Sequence, residues 1–269
     1  MRSSNPVLNS LTNSGKRTQQ GAGAPYAGYG QAPQTIRSSE RPMTVDDVVT
    51  KTGMTLGVIV VFALVNFAIY EFINPGLALI LTAVGAIGGL ITVLVATFGK
   101  KMDSAPVTLI YAAFEGLFVG GISLIFSGWT IGNSNAATMI GQAVLGTVGV
   151  FLGMLFVYKT GAVKVTPKFN RILTGCLVGV LVLVVGNLLF ALITGNSPLR
   201  DGGPLAIIFS LVCIGLAAMS FLQDFDVADR AIRAGAPAKA AWGIALGLAV
   251  TLVWLYTEIL RLLSYFQNR

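Results

Sequence analysis

An all-α membrane protein, a seven-transmembrane helix bundle with its N-terminus in the cytoplasm and its C-terminus outside, is the fold this sequence predicts. Three observations lead there. Of 269 residues, 54% are hydrophobic and 11% charged, with a mean hydropathy of +0.77; soluble domains carry about 25% charged residues. Seven apolar runs approach the roughly 20 residues that a helix needs to cross hydrocarbon. The basic residues fall between those runs with a strong bias to one side.

Residues 1–50 are polar and rich in Ser, Gly, Gln and Pro ("QQGAGAPYAGYGQAPQ"). Such a composition cannot bury a core and predicts a disordered cytoplasmic tail. No signal peptide is visible and the first apolar run begins near residue 53, so that run is expected to be an uncleaved anchor. Residues 51–269 then form one transmembrane domain. Its runs cover 53–72, 75–98, 106–127, 136–158, 172–194, 204–222 and 241–266. Turn-rich breaks such as "NPG", "KKMDSAP", "SGWTIGNSN" and "GNSPLRDGGP" separate them. A cytoplasmic tail places fifteen Lys and Arg on the inner side, including Lys100, Lys101, Lys159, Lys164, Lys168, Arg171, Arg230, Arg233 and Lys239. The outer side receives three, Arg200, Arg261 and Arg269. Gly116 and Gly120, Gly149 and Gly153, and Gly243 and Gly247 stand four apart, a spacing that lets helix backbones approach closely in lipid.

Composition also excludes much. There is no histidine, which removes Ser/His/Asp and Cys/His catalysis and histidine-bound metals. Cys176 and Cys213 fall inside apolar runs and read as small buried hydrophobes. The net charge of +7 is spread over short loops and the tail, without the basic patch and interleaved aromatics of a nucleic-acid surface. No enzyme activity and no cofactor are expected.

The acids inside the apolar runs are the informative minority. Glu115 lies about ten residues, roughly 15 Å, into the third helix, near the bilayer midplane. Ionised, it cannot face lipid without a penalty of about 2.5 kcal/mol or more. The reading without function is a protonated carboxyl hydrogen-bonded to a neighbouring helix. Glu258 shares a face of the seventh helix with Gly243, Gly247, Thr251 and Trp254, so that face is expected to point into the bundle. Its plain reading is a local pair with Arg261, one turn later. Asn66 and Asn187 are expected to make interhelical hydrogen bonds. Asp224, Asp226 and Asp229 close the sixth helix in "SFLQDFDVADR". An EF-hand is ruled out, because its sixth and twelfth positions would be Asp229 and Gly235. For Asp226 and Asp229 a solvated helix end is the simpler account.

"FLQDFDVADR" in helix 6, "LVWLYTEILRLLSYF" in helix 7 and "YAAFEGLFVGGIS" in helix 3 resemble the transmembrane Bax inhibitor motif family, in particular its bacterial members. The resemblance spans roughly residues 50–266. It implies a seven-helix bundle with a central last helix, in which two carboxylates form a pH-sensitive latch on a calcium leak. The helix 6 acid, from a "D-F/L-N" type motif, falls on Asp224; the helix 7 acid falls on Glu258 through "LYTE". This chain departs from the pattern in carrying Glu where Asp is expected in helix 7 and in an insertion between the two positions. Asp224 is about 18 residues, roughly 27 Å, from the outer start of helix 6, whereas Glu258 is about eight residues, roughly 12 Å, from the outer end of helix 7. Either helices 6 and 7 extend further than the apolar runs, with the insertion as a cytoplasmic helical extension, or the partner of Glu258 is Glu115.

The function expected from these readings is a pH-sensitive calcium leak channel of a bacterial plasma membrane, in which calcium and protons meet a buried carboxylate pair. Two close carboxylates cannot both ionise cheaply, so they share a proton until a cation replaces it. Asp224 and Glu258 would ligate calcium weakly and transiently, a hard cation seeking oxygen. Glu115, Asp226 and Arg261 are further candidates for the ion pathway. The competing expectation is a non-conducting stress-regulatory protein that modulates a membrane protease or another membrane partner, through its loops or tail.

Overall fold

The computed structural model describes residues 41–128 and 136–267. Within them lie seven helices long and apolar enough to cross a membrane. They are α1 (Val45–Phe72), α2 (Pro75–Phe98), α3 (Ala105–Gly128), α4 (Ala136–Thr160), α5 (Pro167–Thr194), α6 (Pro204–Arg233) and α7 (Ala241–Gln267). Among the described residues there is no strand beyond an isolated bridge between Pro42 and Pro237.

Three boundaries differ from those of the apolar runs, each for a local reason. Helix α1 starts at Val45, inside the segment assigned to the tail, because Thr44 and Asp47 form a capping box: the Asp47 amide donates to Thr44 Oγ1 (3.3 Å) and the Thr44 amide to Asp47 Oδ2 (3.0 Å). The tail up to residue 40 lies outside the described residues. Helix α5 starts at Pro167, where Thr166 Oγ1 accepts from the Phe169 amide and proline occupies the first turn. Helix α6 runs on to Arg233, eleven residues past the end of its apolar run. Two pairs one turn apart, Asp226 with Arg230 and Asp229 with Arg233, line this polar extension. At 30 residues α6 is about 45 Å long, more than the hydrocarbon needs.

Helix α7 is the axis of the bundle and packs against α1, α3, α4 and α6. Helix α5 is its opposite: only Leu173 and Asn187 are buried on it, and its remaining circumference suits lipid. Lipid tails are as apolar as the side chains, so cohesion comes from close contact instead of escape from water. A Cβ at Gly120 would stand 2.5 Å from the Ala63 carbonyl oxygen, and one at Gly116 2.5 Å from that of Ile59. Helices α1 and α3 thus meet backbone to backbone. Gly243 presses in the same way on Met102, whereas Gly149, Gly153 and Gly247 have open space around them. Phe151 of α4 meets Phe221 and Phe225 of α6 edge-on, with ring centroids at 5.4 and 5.5 Å.

The connection from α6 to α7 is tied to the start of α1. The Met43 amide donates to the Ala236 carbonyl (2.8 Å) and the Ala238 amide to that of Arg41 (3.0 Å). Lys51 donates to the Ala238 carbonyl and lies over the Trp242 ring.

Candidate functional site

The interface of α6 and α7 carries two acids. Asp224 is half-buried on α6, and Thr251 of α7 donates its hydroxyl to Asp224 Oδ2 at 2.7 Å. The same hydroxyl lies 3.2 Å from the Gly247 carbonyl oxygen of its own helix. Two carboxylate oxygens, a hydroxyl and a carbonyl are therefore gathered at one point between the helices. Phe221 and Phe225 flank Asp224 in sequence and pack with Leu248, Leu252 and Leu255 of α7. That packing fixes the register at which Asp224 meets Thr251.

Glu258 sits seven residues, about 10 Å, further along α7. It is 5% exposed, and Arg261 Nη1 bonds both its oxygens, at 2.9 and 3.0 Å. Arg261 is itself 7% exposed. The pair is thus internally neutral, as a buried ion pair must be to avoid stranding a charge. The carboxylate pairing expected between Asp224 and Glu258 is not the contact present: one acid takes a threonine, the other an arginine one turn along its own helix. Glu258 does not take Glu115 either.

Glu115 is half-buried on α3, with Tyr111 one turn earlier on the same helix as its polar neighbour. Its Oε2 occupies the notch left by Gly89 of α2, where a Cβ would come within 2.8 Å. Its depth follows from two contacts: Thr108 donates to the Trp242 carbonyl (3.3 Å), and Ser123 pairs with the Tyr256 hydroxyl (2.7 Å). Helices α3 and α7 therefore run side by side in one direction, with Glu115 at the height of Ala249. That is within about one turn of Asp224, on the other side of α7: Ala249 and Val253 pack with Tyr111 and Ala112, while Leu248 and Leu252 pack toward α6.

The remaining candidates are peripheral. Asp226 pairs with Arg230, and Asp229 with Arg233 and, more loosely, the Tyr158 hydroxyl at 3.5 Å. Asn66 makes the expected interhelical bonds, to Thr82 Oγ1 (3.1 Å) and the Leu117 carbonyl (2.6 Å). Asn187 instead accepts from the Leu199 amide in the following loop (3.1 Å). Among the described residues no three His, Cys, Asp or Glu side chains come together as a metal cluster. A cavity of about 370 Å³ opens among α1, α3, α4 and α7, but Leu56, Val60, Val144 and Val148 make it apolar and none of the acids lines it.

Sequence reasoning missed three partners. Thr251 was legible as a neighbour of Glu258 on one face of α7, and Tyr111 stands one turn before Glu115. Arg200 left no such trace. It lies exposed in the loop before α6, where partial desolvation, and then the Arg261 charge, hold its guanidinium below its ordinary value.

The family model "Bax inhibitor 1 like" matches residues 5–268. A search of curated proteins finds no match. The match covers nearly the whole chain, which therefore belongs to the Bax inhibitor 1 like family.

Proposed function

We propose that this Bax inhibitor 1 like membrane protein is a pH-sensitive calcium leak channel, with its basic end in the cytoplasm of a bacterium and Asp224 as the titrating group of its latch. The observation that carries this reading is the Asp224–Thr251 hydrogen bond. It ties two long membrane helices through a carboxylate that has no ion-pair partner among the described residues.

The chemistry follows from the inventory of donors. An ionised Asp224 can only accept, so Thr251 must give it the hydroxyl proton. A protonated Asp224 carries a proton of its own and becomes the donor, and the Thr251 hydroxyl turns to the Gly247 carbonyl. Protonation thus reverses the contact that joins α6 to α7. In the ionised form the carboxylate, hydroxyl and carbonyl oxygens offer a few hard ligands to calcium, too few for storage and suited to passage. Glu258 is the second acid on the route. There Arg261 is a built-in cation that calcium must displace, which keeps the leak slow.

Calcium entry into liposomes holding the purified protein, scanned from about pH 5 to 8 around the ordinary carboxylate range and above it, tests the proposal. Wild type is expected to conduct at a rate that varies with pH, and Asp224→Asn to conduct at a rate that does not. Wild-type protein that passes no calcium at any pH, or an Asp224→Asn profile identical to wild type, overturns the reading. The non-conducting regulatory role would then move to the front.

A further inference from the structure

The cavity of about 370 Å³ among α1, α3, α4 and α7 takes no part in the carboxylate chemistry. Its size is that of a small ligand pocket, a class that runs from about 300 to 1,000 Å³. Along α1 its wall extends from Leu56 to Phe67, within the spanning helix, which is about 16 Å of helix axis. One leaflet of hydrocarbon has that thickness, half of a core about 30 Å deep. The cavity is open at one side. Helix α1 packs on α2, α3 and α7, and α4 on α3, α6 and α7, with no comparable packing between α1 and α4. Val60 and Leu64 on one side of this gap and Val144 and Val148 on the other are exposed, so the mouth is continuous with the apolar surface that faces lipid. The back wall is different, because Ile59, Val253 and Tyr256 are buried. The cavity therefore reaches from the bilayer to the axial helix, where lipid that merely surrounds the bundle does not go.

Nothing in these walls asks for a polar guest. The Ser123 hydroxyl donates to the Val119 carbonyl (2.6 Å) and pairs with the Tyr256 hydroxyl (2.7 Å), and Thr147 donates to the Ala143 carbonyl (2.8 Å). The hydroxyls of the lining are thus satisfied inside the protein, and no charged side chain joins them. Such a cavity excludes water, which needs two or more polar partners. Walls without a guest would also forfeit dispersion contacts on that side. The fitting guest is apolar, about as long as a leaflet is thick, and able to enter sideways from hydrocarbon.

We infer that this cavity is a binding site for one acyl chain of a membrane lipid, which enters between α1 and α4 and lies against Tyr256 of α7. The tail alone is recognised, and the headgroup stays outside. The site is separate from the Asp224 latch and stands whether or not the protein conducts calcium.

The test places full-length protein in nanodiscs of phosphatidylcholine that carries a photoreactive diazirine midway along one chain, and maps the label by peptide mass spectrometry. Wild type is expected to be labelled on the buried back wall, at Val253 or Tyr256, as well as on exposed positions of α5 such as Leu188. Val144→Trp puts a larger ring into the mouth from an exposed position; it should lose most of the back-wall label and keep the label on α5. Val182→Trp, the same change on the exposed face of α5, should leave the back-wall label at its wild-type level. Phosphatidylglycerol with the same diazirine chain should give the same pattern. A back wall that stays unlabelled in wild type while α5 is labelled overturns the site, as a second copy's helix seated in the gap would produce, and this result needs no variant to fold. Back-wall label of equal strength in wild type and Val144→Trp overturns it as well. Label that appears with only one of the two lipids would assign the binding to the headgroup and overturn recognition of the tail.

Discussion

Asp224 and Glu258 lie on one helix interface about 10 Å apart along its axis, and their surroundings are opposite. Asp224 is half-buried and holds a neutral hydroxyl from the neighbouring helix. Glu258 is buried and holds a guanidinium from its own helix. A hydroxyl leaves the charge of its carboxylate uncompensated, so the contact changes character when a proton or a cation arrives. A guanidinium cancels that charge, so the contact is a structural element until something displaces it. Two acids on one interface therefore do different work according to the partner that packing supplies, and the acid with the weaker partner is the one suited to switching.

That contrast can be broken most forcefully at Glu258. Glu258→Gln leaves Arg261 charged in a buried site, and a loss of about 3–5 kcal/mol is expected in thermal or denaturant unfolding of the micellar protein. Adding Arg261→Gln should restore most of it, because the stranded charge is gone. A single variant as stable as wild type would mean that the pair is more solvated than its 5% exposure implies.

The next effect belongs to the frame that holds both acids. Gly120→Val forces a side chain against the Ala63 backbone and is expected to cost about 1–3 kcal/mol. Gly149→Val, with open space around it, should leave the unfolding midpoint where it was. Equal sensitivity of the two would show that the second glycine is also a packing position.

At Asp224 the expected balance is reversed, with little stability lost and much function. Thr251→Val removes the hydroxyl and should lower stability by about 0.5–1.5 kcal/mol, yet change the pH profile of calcium flux as much as Asp224→Asn does. Thr251→Ser, which keeps the donor, should retain the wild-type profile. If valine and serine behave alike, the hydroxyl has no part in the latch. The smallest effect is expected at Asp229→Asn. Its partner Arg233 is exposed, and neither stability nor flux should move measurably.

Much of the fold was legible because lipid imposes a simple demand. Every backbone polar group must be satisfied within its own helix, so long apolar runs bounded by "NPG" or "GNSPLRDGGP" have one structural outcome. Their boundaries were less legible. Apolarity marks the stretch inside hydrocarbon, whereas caps and ion pairs at the ends, Thr44 with Asp47 and Asp229 with Arg233, decide where the helix stops.

The candidate site divides in the same way. Glu258–Arg261 and Tyr111–Glu115 could be read along one helix, because residues three and four apart share a face at fixed spacing. The Asp224–Thr251 contact and the seating of the Gly202 turn against the Tyr265 ring could not. They depend on the register of α6 against α7 and on the path of a loop, which the packing of Phe221, Phe225 and Leu252 and the turn at Gly202 set. By itself, then, the sequence determined seven spanning helices and which acids lie inside them, since both follow from local periodicity and the cost of charge in lipid. Only the tertiary structure decided which partner each acid meets, because contacts between helices arise from side-chain shape summed over a whole interface, and no local spacing encodes that sum.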